Sequence, residues 1–219
     1  MKKTILLFLA FFAALLSFSQ SGSANSDQNA KKILDAVSAK FKTFKAVQSS
    51  FTYKIEDAKG KVQGVKKGTV YMKGAKYRVS ITGNEIYSDG KNVWSYDKGA
   101  NEVTITELDP STNTITPQKL FTNFYDKDFL YKLNGEKVEG KKKLQEIEMT
   151  PVDKTKSFHK VYLLVDKATN TIYSTKVLDK GGNRYSYTVT TMNGKATIGD
   201  AIFAWDKKKY PGVEEVDLR

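Results

Sequence analysis

Residues 68–97 read GTVYMKGAKYRVSITGNEIYSDGKNVWSYD, and the rhythm of that stretch decides the fold. Val70 and Met72 alternate with Thr69, Tyr71 and Lys73, and Tyr77, Val79 and Ile81 alternate with Arg78 and Ser80. Successive side chains on a strand point to opposite faces, so a period of two predicts strands with one greasy and one wet side. Gly74-Ala75, Gly83-Asn84, Asp89-Gly90 and Lys98-Gly99 supply turns between them, leaving short strands around Ile86, Val93 to Tyr96 and Val103 to Thr106.

The same rhythm extends in both directions. Upstream, from Val47, Phe51, Tyr53 and Ile55 alternate with Thr52, Lys54 and Glu56. Downstream it resumes over 129–138, 144–149, 158–165, 172–178 and 184–192, with Gly181-Gly182-Asn183 as a hairpin tip. In the tail, Phe203 and Trp205 alternate ahead of Pro211-Gly212. About ten short strands at intervals of about ten residues predict one all-β domain. Two stretches break the pattern. Ile33, Val37, Phe41 and Phe44 recur at spacings of three and four, predicting a helix over 26–46 capped by Asn25, Ser26 or Asp27. Pro117 starts a second, short helix to about residue 126 that carries Leu120, Phe121 and Phe124.

Ahead of this domain, Lys2 and Lys3 precede the apolar run Ile5 to Leu16 and the small residues Ser17 and Ser19. That pattern predicts a secretory signal over 1–19, cut after Ser19 or after Ala24, then a flexible leader over 20–28 and a single domain over 29–219. No cysteine follows the run, so a bacterial lipoprotein anchor is not expected.

Composition excludes much chemistry. The 219 residues contain no cysteine and one histidine, so disulfides, thiolate zinc sites, cysteine nucleophiles and multi-histidine metal sites are ruled out. Neither a metal nor another cofactor is expected. His159 stands on a strand with no nucleophile-elbow motif near it, and Glu146 and Glu148 share a wet face opposite Ile147 and Met149. The chain therefore reads as no enzyme. Its formal net charge is +12, with lysine clusters at 141–143 and 207–209. Export argues against nucleic acid as the partner. The lysines suit transient contact with anionic headgroups or an acidic surface, or simple solubilisation and edge protection.

One-sided strands leave a geometric problem. Ten strands about 4.8 Å apart and about 17–20 Å long present on the order of 900 Å² on one face. Two helices about 10 Å across do not cover that unless the sheet curls around them. A curled sheet under a helical lid leaves a concave apolar space, filled either by side chains as a packed core or by a ligand. Alternation alone does not separate the two.

The segment Ser88-Asp89-Gly90-Lys91, followed by Val93-Trp94-x-Tyr96, resembles the outer-membrane lipoprotein carrier family, the LolA-type periplasmic carriers. The order of features around it is similar: a signal, an amphipathic helix, a first strand at Phe51-Thr52 and a Pro-initiated helix. The ending Ala201-Ile202-Phe203-Ala204-Trp205, then Pro211-Gly212-Val213, looks like the family's closing strand and loop. The resemblance implies a mainly β fold, an unclosed antiparallel β-barrel (half-barrel) with a helical lid over an apolar concave face. It implies a monomeric carrier that takes acylated lipoproteins or other lipid cargo from an inner-membrane lipoprotein-releasing transporter to an outer-membrane acceptor. The family's lining strand falls on Tyr77, Val79 and Ile81. Together with the alternating strands this gives a candidate lipid-binding cavity of Phe51, Tyr53, Ile55, Val70, Met72, Tyr77, Val79, Ile81, Trp94, Tyr96, Ile147 and Met149. The candidate lid comprises Ile33, Val37, Phe41, Leu120, Phe121 and Phe124. Members often carry an Arg-Pro pair that ties the lid to the sheet, and here Lys73-Gly74-Ala75 stands in its place. A second expectation keeps the fold but makes it a lipid-sensing or regulatory module that binds a membrane protein.

Overall fold

The computed structural model describes residues 27–108 and 125–219. The expected signal over 1–19, most of the leader and the lid residues Leu120, Phe121 and Phe124 lie outside the described residues.

Helix α1 spans Gln28–Lys42 and starts one residue after Asp27, one of the three expected caps. Asp27 Oδ1 accepts the N–H groups of Asn29 and Ala30, satisfying donors that a helix start otherwise leaves open. The helix ends earlier than its apolar stripe suggests. The Thr43 hydroxyl donates to the Lys40 carbonyl at 2.7 Å, and Thr43 to Ala46 then turn the chain into the first strand.

The strands are β1 (Val47–Glu56), β2 (Val62–Lys73), β3 (Lys76–Ile81), β4 (Asn84–Ser88), β5 (Asn92–Asp97) and β6 (Glu102–Glu107). After the four-residue helix α2 (Tyr125–Asp128) come β7 (Phe129–Glu139), β8 (Lys142–Pro151), β9 (Phe158–Asp166), β10 (Thr171–Asp179), β11 (Arg184–Asn193) and β12 (Glu214–Asp217). They form one open sheet in the order β12-β6-β5-β4-β3-β2-β1-β11-β10-β9-β8-β7. Neighbours are antiparallel except β12, which lies parallel to β6. The expected unclosed antiparallel half-barrel is therefore the fold observed.

The sequence-based reading misses two features. The segment at Phe203 and Trp205 is no strand: Asp200–Phe203 forms a 3₁₀ turn, and the chain returns to the sheet only at β12. Strand β2 also begins well before the alternation of Val70 and Met72. Its first residues, 62–67, pair with the second half of β1 although they are polar or exposed.

Turn chemistry fixes the strand ends. At Asp89-Gly90, the Asp89 carboxylate accepts the N–H groups of Lys91 and Asn92 at 2.8 and 2.7 Å, while Gly90 sits at φ +94°, a conformation glycine adopts without steric cost.

Candidate functional site

Register sorts the side chains onto two faces. Val47, Met72, Tyr77, Ser88 and Val93 lie opposite one another along one row, and Ser49, Val70, Val79 and Ile86 along the next. Through β11 and β8 the same face carries Tyr53, Tyr187, Thr175, Leu163 and Ile147 in a third row. Helix α1 lies across this face. Its first turns put Ala30, Leu34 and Val37 on Phe129, Tyr131, Ile147, Met149 and Leu163, while Phe41 and Phe44 reach Val47, Met72, Tyr77, Val79 and Val93.

The expected cavity residues divide into three groups. Met72, Tyr77, Ile147 and Met149 are buried beneath α1 as ordinary core, with Ile147 and Met149 at 0% exposure. Phe51, Tyr53, Ile55, Val70, Val79 and Ile81 share that face but remain half-buried. Trp94 and Tyr96 are misplaced by the expectation. They occupy the other face with Val103, beneath Trp205, Tyr210 and Val213 of the C-terminal segment. The reason is parity: Val93 faces α1, so its neighbour Trp94 cannot.

Ile33, Val37 and Phe41 of the expected lid do pack on the sheet. Ala30 and Leu34, missing from that expectation, are the most buried apolar residues of α1. Packing under the helix is close where Val37, Phe41 and Phe44 meet the sheet. The gap there, bordered by Val37, Phe41, Phe44, Ile172 and Met192, measures about 10 Å³, room for one water. Helix α1 itself occupies the apolar surface.

Beyond the helix, the same face carries a half-buried aromatic patch. Tyr53 stacks on Tyr187 with ring centroids 4.7 Å apart, Tyr185 lies parallel to Tyr53 at 6.3 Å, and Phe51 sits 6.1 Å from Tyr187. Tyr187 is 39% exposed.

Polar contacts tie the start of α1 to the sheet edge. The Asp27 N–H donates to the Tyr131 carbonyl at 3.0 Å, and Asp27 Oδ2 accepts the Leu133 N–H at 3.0 Å. That second bond, with the capping donors, holds the Asp27 carboxyl below the usual carboxylate range. The Tyr125 hydroxyl donates to Asp35 at 2.8 Å, and Lys31 bridges Asp35 and Asp126 at 3.0 and 3.3 Å. Partial burial works against the charge on Asp35, but the Tyr125 and Lys31 donors outweigh it and lower its pKa. These ties lie at the β7 edge, away from the β2–β3 turn at Lys73-Gly74-Ala75. Lys73 and Lys76 instead clamp Asp200 at 2.8 and 2.9 Å.

On the far face, Glu85 is 7% exposed and receives Arg78 at 2.8 Å, Lys98 at 3.0 Å and the Tyr87 hydroxyl. Burial alone would raise its pKa, but these donors together bring it down to about 2. The Tyr210 hydroxyl, 2.6 Å from that of Tyr87, joins the cluster and pins the C-terminal segment over the sheet. Tyr210 also stacks on Trp205 at 4.3 Å.

Among the described residues no group of three or more His, Cys, Asp and Glu side chains is arranged to hold a metal ion. Glu146 and Glu148 are paired with Lys137 and Lys160 on the wet face. Of the lysine clusters, Lys142 pairs with Asp166, and Lys207 with Glu215.

A single open antiparallel sheet whose apolar face is spanned by one helix defines the open-barrel class of proteins. Comparison with known proteins narrows the class. The outer membrane lipoprotein carrier protein LolA family matches residues 42–206, and the chain belongs to that family. It is 30% identical over 173 residues to an outer-membrane lipoprotein carrier protein of Cupriavidus necator, covering 75% of this chain and 79% of that one. An uncharacterized conserved protein from Thermus thermophilus shares the fold at TM-score 0.59 and 16% identity, over 87% of this chain and 99% of its own. The Mycobacterium tuberculosis lipoprotein LppX shares it at TM-score 0.51 and 12% identity, over 80% of this chain and 100% of its own.

Proposed function

We propose that the protein is a non-enzymatic periplasmic carrier that shields the acyl chains of lipoproteins on the α1-covered face and ferries them from the inner to the outer membrane. The family supports lipoprotein cargo, and the observation that carries the reading is α1 itself. Its apolar side rests on sheet residues that an acyl chain would otherwise cover, and the polar ties at its start are exchangeable for water. Sixteen acyl carbons in water represent roughly 12 kcal/mol of exposure penalty. A helix that already occupies the acceptor surface offsets part of that, because displacing it costs apolar burial that the cargo restores. Binding is then strong enough to extract the chains and weak enough to release them. The donor is an inner-membrane lipoprotein-releasing transporter and the recipient an outer-membrane acceptor.

Delipidated protein should bind a fluorescent fatty acid with one-to-one stoichiometry. Val79→Glu, which sets a carboxylate among Val70, Ile86 and Phe41, should abolish binding. Absence of binding at micromolar lipid by a folded wild type would defeat the carrier reading. Crosslinking to one membrane protein, with no lipid in native mass spectra, would replace it with a regulatory module.

A further inference from the structure

A second concavity lies away from the α1 side. It is a groove of about 530 Å³ on the opposite face, crossing β11, β1, β2 and β3. Six hydroxyls line it, from Ser50, Thr52, Thr69, Ser80, Thr82 and Thr190. Register explains their company: Ser50 is opposite Thr69, Thr69 opposite Ser80, and Ser80 opposite Glu85, which fixes the face as the one the C-terminal segment caps farther along. Between the pairs Ser50–Thr191 and Phe51–Val189 the extra residue is Thr190, a bulge that bends β11 at this point and brings Thr190 to the groove. Phe51 and Ile81 border the groove as well, but their parity assigns their side chains to the α1 side.

We propose that this groove binds a sugar phosphate. Three properties of the lining favour that class. Among the described residues its cationic groups are Lys67 and Lys98, and no described carboxylate or side-chain amide lines it. Lys67 makes no ion pair within the described residues, whereas Lys98 is shared with Glu85 at 3.0 Å. Donors are therefore in excess, and the complement is an oxygen-rich anion. Second, none of the six hydroxyls makes a side-chain hydrogen bond within the described residues, so all can donate or accept toward a polyol. Third, the volume is too large for an inorganic anion alone and falls within the roughly 300–1,000 Å³ usual for small-molecule sites. The site lies on the face away from α1, so it works independently of acyl binding.

The test is amide chemical-shift titration of the full mature chain with glucose 1-phosphate, glucose and inorganic phosphate in parallel. Glucose 1-phosphate should give saturable shifts centred on Thr69, Ser80 and Thr190, and should bind at least about tenfold more tightly than either glucose or phosphate. Lys67→Gln should weaken it by about tenfold, the loss of one charge-assisted hydrogen bond. Thr69→Val, which keeps a β-branched residue on the strand, should weaken it while leaving the rest of the spectrum in place. No saturation at millimolar ligand would overturn the proposal. So would equal affinity for phosphate alone, shifts centred on α1, or an unchanged affinity in Lys67→Gln. Fatty-acid binding, measured on the same samples, should be indifferent to glucose 1-phosphate, so loss of either activity leaves the other separately readable.

Discussion

The carboxylate of Asp27 caps α1 with one oxygen and takes the main-chain N–H of Leu133 on the edge strand β7 with the other, at 3.0 Å. One side chain thus both starts the helix and fastens it. Asp27→Ala should cost about 1–2 kcal/mol of local stability, the usual loss for a cap with a further bond to a charged group. Hydrogen exchange should show faster exchange at Leu133 and over the first turn of α1, with little change in β1 to β5. Fatty-acid affinity should rise, because the helix competing for the same surface is held less tightly. Unchanged affinity would mean that α1 does not compete.

Removing core from the helix should act differently. Leu34 is 3% exposed among Phe129, Ile147 and Leu163, so Leu34→Ala should destabilise the protein by about 2–5 kcal/mol. A hydrophobic dye should bind the variant more strongly than wild type as α1 loosens from the sheet.

Gly68 makes room for its cross-strand neighbour. A Cβ at Gly68 would fall 2.4 Å from Phe51 Cζ and 2.8 Å from the Ser80 carbonyl oxygen. Gly68→Val should therefore destabilise by about 1–3 kcal/mol, with a lower thermal midpoint. Adding Phe51→Ala should recover only part of the loss, because the Ser80 oxygen belongs to the backbone.

Glu85 predicts the acid response. Its pKa falls from 4.5 in the open chain to about 2 in the fold, so its contribution is complete above pH 4.5 and lost as pH drops toward 2. The ceiling on that contribution is about 3 kcal/mol before solvent screening. Denaturant midpoints followed by tryptophan fluorescence, with Trp205 near the cluster, should decline through this window. Glu85→Gln should flatten the decline while lowering stability at neutral pH, because Arg78 keeps its charge without a counterion.

Much of this was legible in the sequence. A period of two located β3 to β11 closely, since one buried face imposes alternation on each strand. Asp27 was visible as one of three candidate caps because capping chemistry is local. Non-local packing was hidden. Trp94 and Tyr96 read as cavity lining because they are large and aromatic, yet their parity relative to Val93 already placed them on the other side. What covers them, Trp205 and Tyr210, lies more than a hundred residues away and follows no period. The Asp27 bond to Leu133 and the hydroxyl groove depend likewise on which strands become neighbours. Leu34 was overlooked because Ile33 fitted the three-and-four spacing equally well.

Four residues, Thr43 to Ala46, join α1 to β1, and Ala46 is bridged to Lys195 and buried. Strand β1 runs through the middle of the sheet, whereas the opposite end of the helix rests on the outermost strand. The helix is thus a drawbridge with its hinge at the centre and its chain at the rim. The releasable ties at Asp27, Lys31 and Asp35 gather toward the rim, so on the carrier reading that end is the one to lift while the covalent hinge stays shut. On that reading, a guest chain is admitted from the β7 side, tail first toward the hinge, and departs by the way it came.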